Sequence, residues 1–295
     1  MKKIVLGVDK LPKTNRLTLL LGTFDGVHLG HYELVKDAKF HSEGELGVLL
    51  FDKNPSTLLG NKSPRILTSL EDKIRIFSSY GFDYVFVLPL NEPLLHERKE
   101  EFIDHYLLPL SPSLLVVGED YSFGLKAEGK ALDLQARFAT DIVPIMYKNG
   151  HKIGTQEIIA SLEKGDIAKA NEDLGRLYEI QGKVINGYQN GRKFGFPTAN
   201  LSLSSPYVVP HSGVYKTITY VRGIPHKSLT NIGDNPTIGL LNHASIETYI
   251  DHFHGDIYGD TIYIDFLSFL REEKKFSTID DLKKQLEIDK KSLSD

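Results

Sequence analysis

The chain has 295 residues, with 35 lysines and arginines against 39 aspartates and glutamates for a formal charge of -4, and it has neither cysteine nor tryptophan. That length exceeds the usual span of one hydrophobic core and predicts two domains, while 41% hydrophobic and 25% charged residues are the balance of an ordinary globular protein. Without cysteine there is no disulfide framework, Cys-ligated zinc, thiol nucleophile or iron–sulfur cluster, so any metal must sit on oxygen or imidazole.

The first apolar run, Ile4 to Val8, stops at Asp9-Lys10 and is too short for a signal-peptide core. Nowhere does the sequence approach the roughly 18–20 apolar residues of a membrane helix, so a cytoplasmic location without a membrane partner is expected. Mixed charge gives no basic stripe for nucleic acid. Small anionic ligands remain, and protein partners are left open.

From Leu17 the first half alternates short leucine or valine runs with helical stretches at roughly thirty-residue spacing, the cadence of βαβ units. Expected strands are Leu17–Leu21, Leu46–Phe51, Tyr84–Leu88, Leu114–Val117 and Ile142–Met146; expected helices are Tyr32–Phe40, Leu70–Tyr80 and Lys99–Leu107. Thr68 with Glu71 reads as a capping box for the second helix. A doubly wound Rossmann-like sheet follows. Gly124 to Ala131 has P-loop spacing but ends in alanine, so it lacks the hydroxyl that would hold magnesium and is read as a loop.

Gln156–Leu177 is helical and reads as the joint, giving domains 1–177 and 178–295. Beyond it come short alternating runs of valine, isoleucine, threonine and tyrosine: Glu179–Asn186, Gly213–Val221, Ser245–Ile250 and Thr261–Phe269. These predict a small antiparallel β-barrel. Ser277-Thr278 then caps a final helix from Asp281 to about Lys290.

Two strings carry chemistry. Gly22-Thr23-Phe24-Asp25-Gly26-Val27-His28-Leu29-Gly30-His31 follows the first strong strand and enters a helix. Glycines allow close backbone approach, a helix N-terminus offers free N–H groups to a phosphate, and His28 and His31 can donate as charge develops. Gly-rich turns with surface histidines are the plainer alternative, and Asp25 can equally cap the turn. The second string runs from Gly182 to Leu201 and includes Gly187, Arg192, Gly195, Pro197, Thr198 and Asn200. Its glycines can wrap phosphates, and Thr198 and Asn200 project neutral oxygens as a hard cation requires.

The first string resembles the HxGH nucleotidyltransferase signature. Its longer form is similar to that of bacterial bifunctional riboflavin kinase/FMN adenylyltransferases (FAD synthetases), as are Phe51–Pro55 and Gly118–Gly124. Gly191-Arg192 to Leu201 resembles the riboflavin kinase motif, followed in order by Gly213–Tyr215, Asn231–Thr237, Glu247-Thr248, Gly255–Gly259 and Phe269–Phe276. The resemblance covers nearly the whole chain. It implies a Rossmann-like adenylyltransferase domain and a riboflavin kinase barrel with a C-terminal helix, acting on riboflavin, FMN and ATP with Mg2+.

By that resemblance His28 and His31 stabilise the transition state of adenylyl transfer, while Gly22, Phe24, Asp25, Gly30, Asn54 and Thr155 contact ATP or phosphate. Asp120, Tyr121 and Phe123 shape its flavin side, the plainer reading of both rings being core packing. In the kinase, Glu247 is the base, Thr198 and Asn200 hold the metal, Gly187, Arg192, Gly195 and Pro197 contact ATP, and Arg271 packs by the flavin. An exposed strand carboxylate is the plainer reading of Glu247, and a salt bridge with Glu272 or Glu273 that of Arg271.

One stretch departs from the family. Where relatives carry an Arg-x-Ser-Ser-Thr-x-Ile-Arg segment, this chain has Lys152 to Ile159, keeping only Thr155 and Ile158. Gly154, Gln156 and Ile159 stand where hydroxyls and an arginine fork would meet triphosphate, and isoleucine supplies no such fork. A kinase with a weak adenylyltransferase half is therefore the second reading, and a non-catalytic flavin-binding regulator the third.

Overall fold

Six short apolar runs in the first half pair side by side, all parallel: β1 (Lys2–Val5), β2 (Thr18–Leu21), β3 (Leu46–Phe51), β4 (Tyr84–Leu88), β5 (Leu114–Gly118) and β6 (Thr140–Val143), in the order β1-β4-β3-β2-β5-β6. The computed structural model describes residues 1–55, 65–186, 196–233 and 245–294. Strands this apolar make sense when both faces are covered. Leu19, Leu21, Leu49, Phe86 and Val117 pack into one cluster, and Leu20, Val48, Val85 and Val116 into another.

Chain direction across the sheet reverses between β2 and β5, since β3 and β4 build outward on one side and β5 and β6 on the other. The C-terminal ends at such a switch point form the ligand crevice of open α/β sheets. Gly22, Asn54 and Asp120 all follow C-terminal strand ends at this edge.

Several elements differ from expectation. The edge strand β1 has no counterpart among the expected strands, and β6 begins two residues before the anticipated Ile142. The capping box of helix α2 (Leu70–Ser79) is Ser69 with Asp72, one residue on from Thr68 and Glu71. Thr68 instead turns its hydroxyl toward the β2 loop, accepting from Gly26 N at 2.8 Å. The expected helix Lys99–Leu107 is a short helix α3 (Lys99–Phe102), continued by a wider turn through Leu107.

The second half closes into a six-stranded antiparallel barrel of β7 (Tyr178–Ile185), β8 (Thr198–Leu203), β9 (Gly213–Val221), β10 (Ile224–Gly233), β11 (Ser245–Ile250) and β12 (Thr261–Arg271), ordered β7-β8-β11-β10-β9-β12. β8 and β10 are strands that the alternation pattern does not predict. Ile180, Tyr215, Ile262, Ile264 and Phe266 fill the barrel. Thr217, Thr219, Ser228, Thr230 and Thr248 are also fully buried, and their hydroxyls bond to one another at 2.7–3.0 Å, so none is left without a partner.

The chain folds as two compact units, Met1–Thr155 and Gln156–Asp295. Helix α4 (Ile167–Leu174) is tied to the barrel: Asn171 donates through Nδ2 to the Phe266 carbonyl (2.9 Å) and accepts through Oδ1 from Tyr178 N (2.7 Å). Helix α5 (Ile279–Lys291) is capped by Thr278, which accepts from Asp281 N at 3.1 Å.

Candidate active sites

At the end of β2 the chain makes a tight loop and enters helix α1 (Leu29–His41) with His28 as its N-cap. His28 accepts weakly from His31 N through Nδ1 (3.4 Å), and the two imidazoles stack with centroids 3.7 Å apart. Both histidines thus stand at the positive end of a thirteen-residue helix. Phe24 meets His31 edge-on at 5.2 Å and is itself fully buried, so only its backbone is left for a ligand.

Two glycines here leave room for neighbouring side chains. A Cβ on Gly30 would lie 3.1 Å from the His28 ring and 3.4 Å from the Ile153 carbonyl. One on Gly22 would lie 2.9 Å from the Phe24 ring, so this glycine makes space for an aromatic core residue.

Asp25 is buried, and its Oδ1 accepts from the backbone N–H groups of Leu67 (2.9 Å) and Thr68 (3.0 Å). Burial pushes its carboxyl above the ordinary carboxylate range, opposed by the nearby Lys73 charge and by those N–H donors. The carboxylate therefore ties the loop down, the capping role, rather than facing a phosphate. Thr155 donates to the Asp25 carbonyl at 3.1 Å, which brings the 152–155 segment to the same loop.

Across the crevice, Tyr121 and Phe123 stack at 5.7 Å, with Phe123 buried against Phe102 at 5.4 Å. Phe123 belongs to the sheet core and Tyr121 packs on it, which is the plainer reading of both rings. Asp120 and Lys152 form an exposed ion pair at 3.2 Å. Asn54 is half-buried, three residues beyond the end of β3.

The barrel carries the second group. Asn200 lies opposite Glu247 in the β8–β11 ladder and Thr198 opposite Tyr249, so Thr198 and Glu247 are diagonal neighbours. Thr198 donates through Oγ1 to Glu247 Oε2 at 3.1 Å. Both line a cavity of about 290 Å³ whose walls include Phe196, Val214, Leu229 and Leu286. Apolar walls with a few convergent polar groups are the make-up of a small-molecule site. A second cavity of about 190 Å³, between Pro197, Ile250, Phe253 and Tyr258, shares Thr198 with the first.

Arg271 lines the larger cavity and grips helix α5 rather than Glu272 or Glu273 side chains. Its Nη2 donates to Asp289 Oδ2 at 2.7 Å, and its Nε lies 3.1 Å from both Asp289 oxygens. Asp289 is 3% exposed. Gly187, Arg192 and Gly195 lie outside the described residues, whereas Pro197 opens onto the smaller cavity.

Two family models divide the sequence between them: FAD synthetase matches residues 10–157 and riboflavin kinase matches 174–295. The bifunctional riboflavin kinase/FMN adenylyltransferase of Listeria monocytogenes is 38% identical over 281 residues, covering 92% of this chain and 89% of the relative. That of Bacillus subtilis is 36% identical and covers 92% and 90%. The chain belongs to the bifunctional riboflavin kinase/FMN adenylyltransferase family. The Escherichia coli K12 member is 31% identical over 97% of this chain and 95% of its own. A solved structure described as a macrolide-efflux protein from Streptococcus pneumoniae aligns over 99% of both chains with a TM-score of 0.90 and 27% identity. Among the described residues here, no helix is long and apolar enough to cross a membrane.

Within this family's frame, motif reading missed two residues that hold the HxGH loop from outside it, Thr68 and Lys73. Lys73 donates to the Thr23 carbonyl at 2.7 Å. A lysine in a helix carries no motif signal, so only the packed structure reveals it.

Proposed function

We propose that this chain phosphorylates riboflavin to FMN in its barrel and joins FMN to the AMP moiety of ATP in its parallel-sheet unit, releasing pyrophosphate. The observation that carries the kinase half is the Thr198–Glu247 hydrogen bond, made where the two cavities share Thr198. Flavin in the larger cavity and ATP reaching in from the smaller would meet at this pair. Glu247 takes the proton of the riboflavin 5′-hydroxyl while its oxygen bonds to the γ-phosphorus and the bond to ADP breaks. Arg271, fixed by Asp289, borders the flavin ring.

Thr198 and Asn200, alternate residues of one strand beside the Glu247 carboxylate, offer the hard oxygen donors that Mg2+ prefers. When bound there with ATP, Mg2+ would neutralise charge building on the phosphates. Thr198 and Asn200 would hold it, and Glu247 keeps its proton-accepting role.

In the sheet unit, a phosphate oxygen of FMN attacks the α-phosphorus of ATP and the bond to pyrophosphate breaks. His28 and His31 donate to the phosphoryl oxygens at the end of α1, while Gly22, Gly30 and Asn54 border the phosphates along the strand ends. No covalent enzyme intermediate is needed. Because both steps draw on ATP, a cytoplasmic location fits them.

Ile159 in place of an arginine, and Lys152 paired with Asp120, favour one second reading: a kinase whose adenylyl transfer is slow. Separate chromatographic assays with Mg-ATP, one starting from riboflavin and one from FMN, distinguish the two. Robust FAD from FMN supports the first, and FMN as sole product the second.

A further inference from the structure

The loop that delivers His28 is bent in an unusual way. Phe24 (φ 49°), Gly26 (φ 81°) and Val27 (φ 40°) all lie in the left-handed region, and for a β-branched valine that conformation is rarely populated. Such backbone persists only where its surroundings over-determine it, and it clusters at functional sites. Val27 is followed at once by His28, so whatever fixes the loop fixes the imidazoles.

Several ties hold it. Asp25 Oδ1 accepts from Leu67 and Thr68, Thr68 Oγ1 accepts from Gly26, and Thr155 donates to the Asp25 carbonyl. A further tie is Lys73, which reaches out of the first turns of α2 to bond the Thr23 carbonyl at the loop's entry. Burial pulls its ammonium pKa down, while the nearby Asp25 and Asp72 charges oppose that shift.

We propose that Lys73 is a positioning residue for adenylyl transfer: its ammonium, bonded to the Thr23 carbonyl beside the Asp25 carboxylate, holds the left-handed loop in the conformation that aims His28 and His31 at the phosphates. This rests on reading the sheet unit as an FMN adenylyltransferase. Lys73 acts through the backbone of the loop and touches no substrate.

The same chain supplies the control, because its kinase reaction is carried by residues of the other unit. In Lys73→Met, kcat for FAD formation from FMN is expected to fall about 10- to 100-fold, as a small misplacement of reacting groups does, with KM for ATP within about threefold. FMN formation from riboflavin should stay within about twofold. Lys73→Arg, which keeps the cation and its donors, should return kcat to within about fivefold of the unchanged chain. An unchanged kcat in the Met variant, a change confined to KM, or an Arg variant as slow as the Met variant overturns the proposal.

Imidazole NMR signals of His28 and His31, assigned by single substitutions, give a readout independent of turnover. They should shift in Lys73→Met, and unmoved signals overturn the proposal even if the unchanged chain makes no FAD. Absence of FAD alone would instead sink the adenylyltransferase reading.

Discussion

The two sites reach their geometry by opposite means. In the barrel, register does the positioning: Asn200 faces Glu247 because β8 pairs with β11, and Thr198 reaches the same carboxylate on the diagonal. In the sheet unit a loop does it, with left-handed residues and long-range side-chain ties replacing a ladder. A register is shared by many backbone bonds and tolerates loss of one side chain. A loop depends on each tie, so the two sites should fail differently.

The largest expected effect is chemical. Glu247→Gln keeps the ladder and the Thr198 neighbour but cannot accept a proton, so kcat for FMN formation should fall by about 10²- to 10⁴-fold with the melting temperature little changed. Assaying FMN by chromatography checks this, and turnover near that of the unchanged chain would remove Glu247 from its role.

Next comes Arg271→Ala. It strips the fork from Asp289, a carboxylate 3% exposed, and leaves that charge with Gln285 Nε2 (2.8 Å) as its remaining side-chain donor among the described residues. Breaking a buried pair from one side typically destabilises by about 3–5 kcal/mol. Denaturant unfolding of the barrel should show a loss in this range, with riboflavin KM raised, and a change under about 1 kcal/mol would mean the pair contributes little.

Gly30→Ala separates site geometry from stability in the other unit. Alanine suits a helix better than glycine by about 1 kcal/mol, yet its methyl would press on the His28 ring at 3.1 Å. FAD formation should drop about tenfold while thermal stability holds or rises and FMN formation is untouched. Equal loss of both activities would contradict independent sites.

The smallest effect is a pH dependence. Burial raises the Asp25 carboxyl above its ordinary 3.8, so its ionisation state favours the fold below that value and this contribution is lost as pH rises through the raised pKa. Asp25→Asn keeps an oxygen for the Leu67 and Thr68 N–H groups without the buried charge. Relative to the unchanged chain, its stability should therefore gain progressively as pH is raised above the ordinary carboxylate value of 3.8, read by thermal melts. A flat difference would show that Asp25 is not strained by burial.

The sequence made the same contrast partly legible. Apolar runs such as Leu46–Phe51 and Tyr84–Leu88 appear as strands over the expected residues because a doubly covered strand needs no alternation to be recognised. β8 was hidden because its Pro-Thr-x-Asn start reads as a turn, and β10 because Pro225, His226 and Lys227 open it with few apolar residues. Residues of the proposed sites that lie inside motifs were visible: His28, His31, Thr198 and Glu247. Phe24, Phe123 and Asp25 sit in the same motifs, but their side chains serve packing and loop closure, which spacing cannot separate from ligand contact. Lys73 and Asp289, acting from helices far along the chain, have no pattern to betray them.

One experiment bears on the central claim that the two units run separate reactions. Purified Glu247→Gln chain is incubated with Mg-ATP and either riboflavin or FMN, and the flavins are separated by chromatography. The account predicts almost no FMN from riboflavin and undiminished FAD from FMN. Loss of both products, or no FAD from FMN even in the unchanged chain, would contradict it.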